Sequence, residues 1–284
     1  MGELRRPTDR VDVERGLDRV VAENRFTIAV VFPLVGAVLL LASAEDLLPA
    51  ILAFNPYLVL TGVLVMRAPL VAGLLPLIRR RGALALGALT AYAYGIEWVG
   101  ATTGFPYGDF HYDIPLGPMV FDTIPVGLPV FFLPLVLNSY LLCLLLLGDR
   151  ARSALVRLPV VVAAVLAVDL VLDPAAVALG FWDYGGGVYY GVPLSNYAGW
   201  VLSATVATVL VDAAFDHDAL VERVRACPYM LDDLVSFVVL WGAVNAFYGA
   251  WIPVAVAALF AAGLLRLDRF DFAVWRGAAG RQSG

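Results

Sequence analysis

The chain contains no lysine: all 19 basic residues are arginine, set against 24 acids for a formal charge of −5. Charged residues fill only 15% of its 284 positions, where soluble domains carry about 25%. A soluble fold is therefore excluded. Cysteine and histidine occur twice each. Cys143 lies in an apolar run and Cys227 in a charged segment, so neither a disulfide nor a cysteine metal site is expected. No Walker A loop, no His/Cys metal pattern and no aspartate-rich motif for magnesium pyrophosphate is present. No nucleotide, metal or other cofactor is implied, nor any nucleic-acid partner. The acid surplus, with a pI near 5.0, suits high ionic strength, where hydrated carboxylates keep polar segments soluble.

What the chain has instead is apolar length. Hydrophobic residues make up 61% and mean hydropathy is +0.84. Runs long enough to cross a bilayer core of about 30 Å as helices recur from Phe26 to Leu265. The fold expected is an all-α polytopic transmembrane bundle of seven or eight spans, near residues 26–44, 54–78, 83–100, 128–147, 155–178, 192–212, 231–247 and 250–265. The count turns on the second span, which holds Arg67, and on the last two, which need a tight turn near Tyr248-Gly249. Residues 1–25 read as an amphipathic cytoplasmic segment, with Thr8 or Asp9 capping a short helix. Residues 266–284 read as a cytoplasmic tail. Ala42-Ser43-Ala44 resembles a signal-peptidase site, but the long leading segment of mixed charge favours a retained span. Arginines cluster at 79–81, 150–157, 223–225 and 266–276, whereas the loop holding Glu45-Asp46 and residues 101–127 and 181–191 hold none. The positive-inside rule places both termini in the cytoplasm and those three loops outside a multi-pass protein of the cell membrane. Arg67 either pairs with an intramembrane acid or snorkels to an interface.

The two external loops resemble diverged copies of one pattern. Glu97 precedes Gly104-Phe105 by the same interval as Asp173 precedes Gly180-Phe181, and an aromatic, glycine-rich run follows each pair. Glu97, Asp169 and Asp173 are acids inside apolar helices, which is costly unless they have a role. Asp169 and Asp173 stand four residues apart and share a helix face. Like charges that close disfavour double ionisation and leave one neutral acid able to donate a proton. The alternative is that these acids cap loops or pair with Arg67. The loop acids Asp109, Asp113, Asp122 and Asp183 are weaker candidates, since external loop acids are usually solvated, but Asp109 and Asp113 sit among Phe105, Tyr107, Phe110 and Tyr112. His111 has no second His or Cys near it in sequence, so a metal site there is not expected. The aromatic residues from Trp98 to Trp200 form either an interfacial belt or a pocket whose ring faces stabilise a transient cation.

The stretch Tyr94-Gly95-Ile96-Glu97-Trp98, continuing through Thr103-Gly104-Phe105-Pro106-Tyr107-Gly108 and Tyr112 to Leu116-Gly117-Pro118, resembles the CruF-type carotenoid hydratases. A second block, Asp173-Pro174, Trp182-Asp183-Tyr184, Tyr189-Tyr190-Gly191-Val192-Pro193-Leu194-Ser195-Asn196-Tyr197 and Gly199-Trp200, is similar to that family's later motif. Tyr107 stands where the family pattern favours phenylalanine. The resemblance covers about residues 85–210. It implies a carotenoid-biosynthesis hydro-lyase whose archaeal members add water to the terminal double bonds of an acyclic fifty-carbon carotenoid. Its partners would be that lipophilic substrate and membrane lipid; no protein partner is indicated.

Such chemistry needs a carboxylic acid to protonate the terminal alkene, a second carboxylate to orient or deprotonate water, and aromatic faces around a tertiary cation. Glu97 or Asp173 is expected as the acid, with Asp169 or a loop acid, Asp109 or Asp113, handling water. Phe105, Tyr107, Tyr112, Trp182, Tyr189 and Asn196 are expected to bind substrate. Hydration of a shorter carotenoid, pigment binding without catalysis, cyclisation and transport are the alternatives.

Overall fold

The computed structural model describes residues 10–114 and 116–272. The expected caps Thr8 and Asp9, and the tail from residue 273, lie outside them. Among the described residues there are ten α-helices. A surface helix, α1 (Arg10–Glu23), is followed by a π-helical turn (Thr27–Val31) that leads into α2 (Phe32–Ala44). Then come α3 (Pro56–Leu74), α4 (Arg80–Thr103), α5 (Leu128–Leu147), α6 (Ala154–Ala178) and α7 (Leu194–Ala214). A short helix, α8 (His217–Ala226), precedes α9 (Asp232–Phe247) and α10 (Trp251–Arg266).

Each of the eight apolar segments read from the sequence holds one α-helix. Six helical stretches, including α2, α3, α5, α6, α7 and α9, are long and apolar enough to cross a membrane. The protein is thus a polytopic helical membrane protein. Of the other two, α4 is longer but more polar, and α10 is apolar but only 16 residues long. The tight turn between α9 and α10 forms at Gly249, whose positive φ of 69° suits a residue without a side chain. The segment between α7 and α9, which reads as loop in the sequence, contains α8. Asp216 starts this helix, its carboxylate accepting from the Ala219 N–H at 2.9 Å.

Arginine side chains tie one end of the bundle together. Arg10 donates to the Leu75 and Ile78 carbonyls beyond α3, and Arg223 of α8 donates to Gly73 at 2.9 Å. Arg25 grips Asp232 at 2.8 and 2.9 Å, and Arg269 donates to Val224 and Cys227. These bonds gather α1, the end of α3, α8 and the chain after α10 at the arginine-rich end. Arg67 resolves as a buried ion pair with Asp233, which also accepts from Asn138 at 2.8 Å. Arg67 also donates to the Val130 carbonyl at 3.3 Å. Pro134, four residues later, has no N–H to offer that carbonyl, so the arginine fills a gap that lipid cannot. Cys143 and Cys227 are both buried and free.

The opposite end is built from the two aromatic loops, and here the repeated pattern reappears as structure. α4 ends at Gly104 (φ 73°), and α6 is followed by Gly180 (φ 76°). Packing is reciprocal: α4 lies against α7, and α5 against α6. Between the helices, β1 (His111–Tyr112) pairs antiparallel with β4 (Trp182–Asp183), with His111 opposite Asp183 and Tyr112 opposite Trp182. The first loop also folds on itself through β2 (Met119–Val120) and β3 (Ile124–Pro125).

Candidate active site

Beneath the β1–β4 pair lies a cavity of about 150 Å³. Few polar residues line it: Glu97 of α4, Asp173 of α6, Asn196 of α7, and Tyr107, Tyr112 and Tyr184. The rest of the wall is Phe110, Phe131, Phe132, Phe181, Trp182, Trp200 and Trp241 with aliphatic residues from α2, α3, α5 and α9. Phe132 and Trp200 stack with ring centroids 5.5 Å apart, and Phe110 meets both Tyr112 and Tyr184 at 5.8 and 5.9 Å.

Strand alternation explains which loop residues face inward. Side chains point to opposite faces at successive positions and to the same face across a pair. Tyr112 and Trp182 therefore share the cavity side, and His111, Asp113 and Asp183 the outer side. The tyrosine hydroxyl of Tyr112 donates to the Glu97 carboxyl. Tyr184, just after β4, lies 3.2 Å from Asp173 and 3.1 Å from the side-chain oxygen of Asn196. Asn196 donates in turn to Asp173 at 2.5 Å and to Asp169 at 3.2 Å. Each acid-bearing helix thus ends in a loop that returns a tyrosine to its own acid. Burial first, and the neighbouring Glu97 second, hold the Tyr112 hydroxyl well above the ordinary tyrosine range. Burial followed by Asp173 does the same for Tyr184. Both hydroxyls stay protonated and act as donors.

Tyr107 is wedged between α4 and α7. A Cβ at Gly199 would stand 2.5 Å from its ring and one at Gly100 2.9 Å, so both glycines are needed for the ring to fit. Its hydroxyl bonds to Ser203 at 2.6 Å, and Ser203 also meets Tyr92 at 3.1 Å.

The structure brings six of the expected site residues to the cavity: Glu97, Asp173, Tyr107, Tyr112, Trp182 and Asn196. Asp169 is sealed one turn away, reached through Asn196, and one of its oxygens has no protein partner among the described residues. The remaining four do not line it. Asp109 is exposed and folds back over Gly104. Asp113 is exposed on the outer face of β1. Phe105 is 64% exposed, whereas its counterpart Phe181 is buried against Phe54. Tyr189 donates to the Leu170 carbonyl at 3.2 Å, a carbonyl that Pro174, four residues on, leaves without a helical N–H. Its position is explained by helix repair rather than by the cavity.

The aromatic residues divide into two sets by exposure. Trp98, Phe105, Phe121 and Tyr190 are exposed, while Tyr107, Tyr112, Trp182 and Trp200 line the cavity. The pairing of the loops also gathers His111, Asp113 and Asp183, whose ligand atoms lie within 4.8 Å of one another. Asp183 comes from the other loop, a neighbour that sequence spacing around His111 does not reveal. The group lies outside the cavity lining. Tyr184 joins the site without having stood out among the aromatic residues of its loop; its signal in the sequence is its place in the repeat, next to the Trp-Asp pair. The indole N–H of Trp182 is buried without a protein partner among the described residues.

Comparison with known proteins adds three findings. The family described as carotenoid biosynthesis protein matches residues 54–264. A bisanhydrobacterioruberin hydratase from Haloarcula japonica is 62% identical over 279 residues, covering 95% of each chain. No solved structure matches.

Proposed function

This chain belongs to the carotenoid biosynthesis protein family, and from that premise we propose that it is a membrane hydratase adding water to the terminal double bonds of bisanhydrobacterioruberin. The observation that carries the reading is the pair of carboxyl groups, Glu97 and Asp173, on one aromatic cavity with no arginine beside either among the described residues. One delivers a proton to the less substituted carbon of the terminal alkene, and the π electrons form the new C–H bond. The tertiary cation that results faces Tyr, Phe and Trp rings. Water attacks it, and the second carboxylate takes the proton that water releases, leaving a tertiary alcohol. The free indole N–H of Trp182 is a donor available to the incoming oxygen.

Size supports the same reading. A cavity of about 150 Å³ holds a benzene-sized hydrocarbon, which suits one terminal isoprene unit and not a whole polyene. Orientation follows from the arginine-rich end: residues 1–25 and 266–284 face the cytoplasm of the cell membrane, residues 26–265 make seven or eight spans, and the cavity opens near the outer interface. There lipid delivers the polyene and water is at hand. Expression in a host that accumulates the dehydrated fifty-carbon precursor tests this by mass spectrometry. The expected result is product heavier by one or two waters. Unchanged carotenoid, with the protein present in the membrane, would reject this substrate in favour of a shorter carotenoid, then of pigment binding or transport.

A further inference from the structure

The two acid–tyrosine units are matched in plan and differ in proton supply. In the first, Tyr112 bonds to Glu97, and the residue four positions before Glu97 on α4 is the buried, apolar Ala93. In the second, that position is Asp169, buried like Asp173 itself. No cation meets this pair among the described residues; its partner is Asn196, which spends both amide hydrogens on the two acids. Two negative charges so placed in a low-dielectric interior repel strongly.

Hydrogen-bond counting then locates a proton. Tyr184 has one hydrogen and two acceptors in reach, Asp173 Oδ2 at 3.2 Å and Asn196 Oδ1 at 3.1 Å. If Asp173 is ionised, Tyr184 serves one of them and leaves the other contact unmade. If Asp173 Oδ2 carries a hydrogen, it donates to the Tyr184 oxygen while Tyr184 donates to Asn196, and both contacts become hydrogen bonds. Tyr112 faces no such choice: its single hydrogen goes to Glu97, the arrangement that favours a carboxylate there.

We infer that Asp173 is the proton donor and Glu97 the base, with Tyr184 and Asn196 as positioning residues that keep the proton on Asp173. The assignment rests on the hydratase reading and deepens it. In each turnover Asp173 gives its proton to carbon, the cation captures water, and Glu97 accepts the proton that the bound water loses. A proton returned from Glu97 to Asp173 through solvent resets both groups, so no net charge is consumed.

The test is deuterium exchange, in D2O, into carotenoid recovered without hydration. Glu97→Gln is expected to cut hydration by about 10²–10⁴-fold while deuterium still enters the recovered substrate. Asp173 can protonate the alkene and take a proton back from the cation. Asp173→Asn should lose hydration and exchange together. Asp173→Glu, which keeps an acid, should retain exchange and so separate chemistry from misfolding. Tyr184→Phe should lower hydration and exchange in parallel, by about tenfold. Exchange that persists in Asp173→Asn, or is absent from Glu97→Gln, overturns the assignment while leaving a hydrating parent protein a hydratase. So does an Asp173→Glu protein present in the membrane yet as silent as Asp173→Asn. Absence of both hydration and exchange in the parent protein sinks the hydratase reading and this assignment with it.

Discussion

The two ends of the bundle treat buried acids in opposite ways. At the arginine-rich end the buried Asp232 and Asp233 and the half-buried Asp212 each have a cation: Asp232 holds Arg25 at 2.8 Å, Asp212 holds Arg157 at 2.6 Å, and Asp233 pairs with Arg67. At the aromatic end Glu97, Asp169 and Asp173 are met only by tyrosine and asparagine among the described residues. An arginine fixes a carboxylate as an anion and makes it a structural fastener. A hydroxyl or amide leaves the proton free to come and go. On the proposed mechanism, the contrast separates acids that hold helices together from acids that move protons.

The contrast can be broken at several points. The largest effect is expected at the unpaired acids: Glu97→Gln and Asp173→Asn should each lower hydration by about 10²–10⁴-fold with little loss of folded protein, read as product per folded protein. Next is Arg67→Met, which strands Asp233 without its cation and should destabilise the fold by about 3–5 kcal/mol, seen as a lower midpoint of thermal unfolding in detergent. The double variant Arg67→Met with Asp233→Leu should regain most of that loss, because no charge is left buried alone. Tyr189→Phe comes third. Losing one hydrogen bond to the Leu170 carbonyl should cost about 1 kcal/mol of stability and leave turnover per folded molecule unchanged. Asp109→Asn and Asp113→Asn, on the exposed side of the loop, should fall within about 0.5 kcal/mol of the parent and hydrate normally; a large loss of activity in either would return the loop acids to the mechanism.

Much of this is legible in the sequence because the bilayer imposes simple rules. Apolar length locates all eight helices, and arginine placement distinguishes the two ends. The equal spacing of Glu97 from Gly104 and of Asp173 from Gly180 reveals the repeat from residue order alone. What escapes is settled by contacts between distant segments. Asp233 has the look of a polar start to α9, and only folding brings it to Arg67, 166 positions earlier. Asp113 and Tyr112 are neighbours in the same aromatic run, yet strand alternation sends one outward and the other to Glu97. Tyr189 resembles a pocket residue by composition, but its partner is a carbonyl freed by Pro174, visible only once α6 and the second loop are folded together. Phe105 and Phe181 hold equivalent places in the repeat and opposite degrees of burial, a difference that depends on Phe54 in another loop.

The small volume of the cavity bears on the order of events for a long molecule with two reactive termini. A chamber that admits a single end group cannot hold both termini of a fifty-carbon polyene at once. Hydration of the second terminus then requires the molecule to leave and present its other end as a fresh visitor. The half-modified carotenoid is therefore a free species that competes with unreacted pigment, and it should build up early in a time course before the doubly modified form overtakes it.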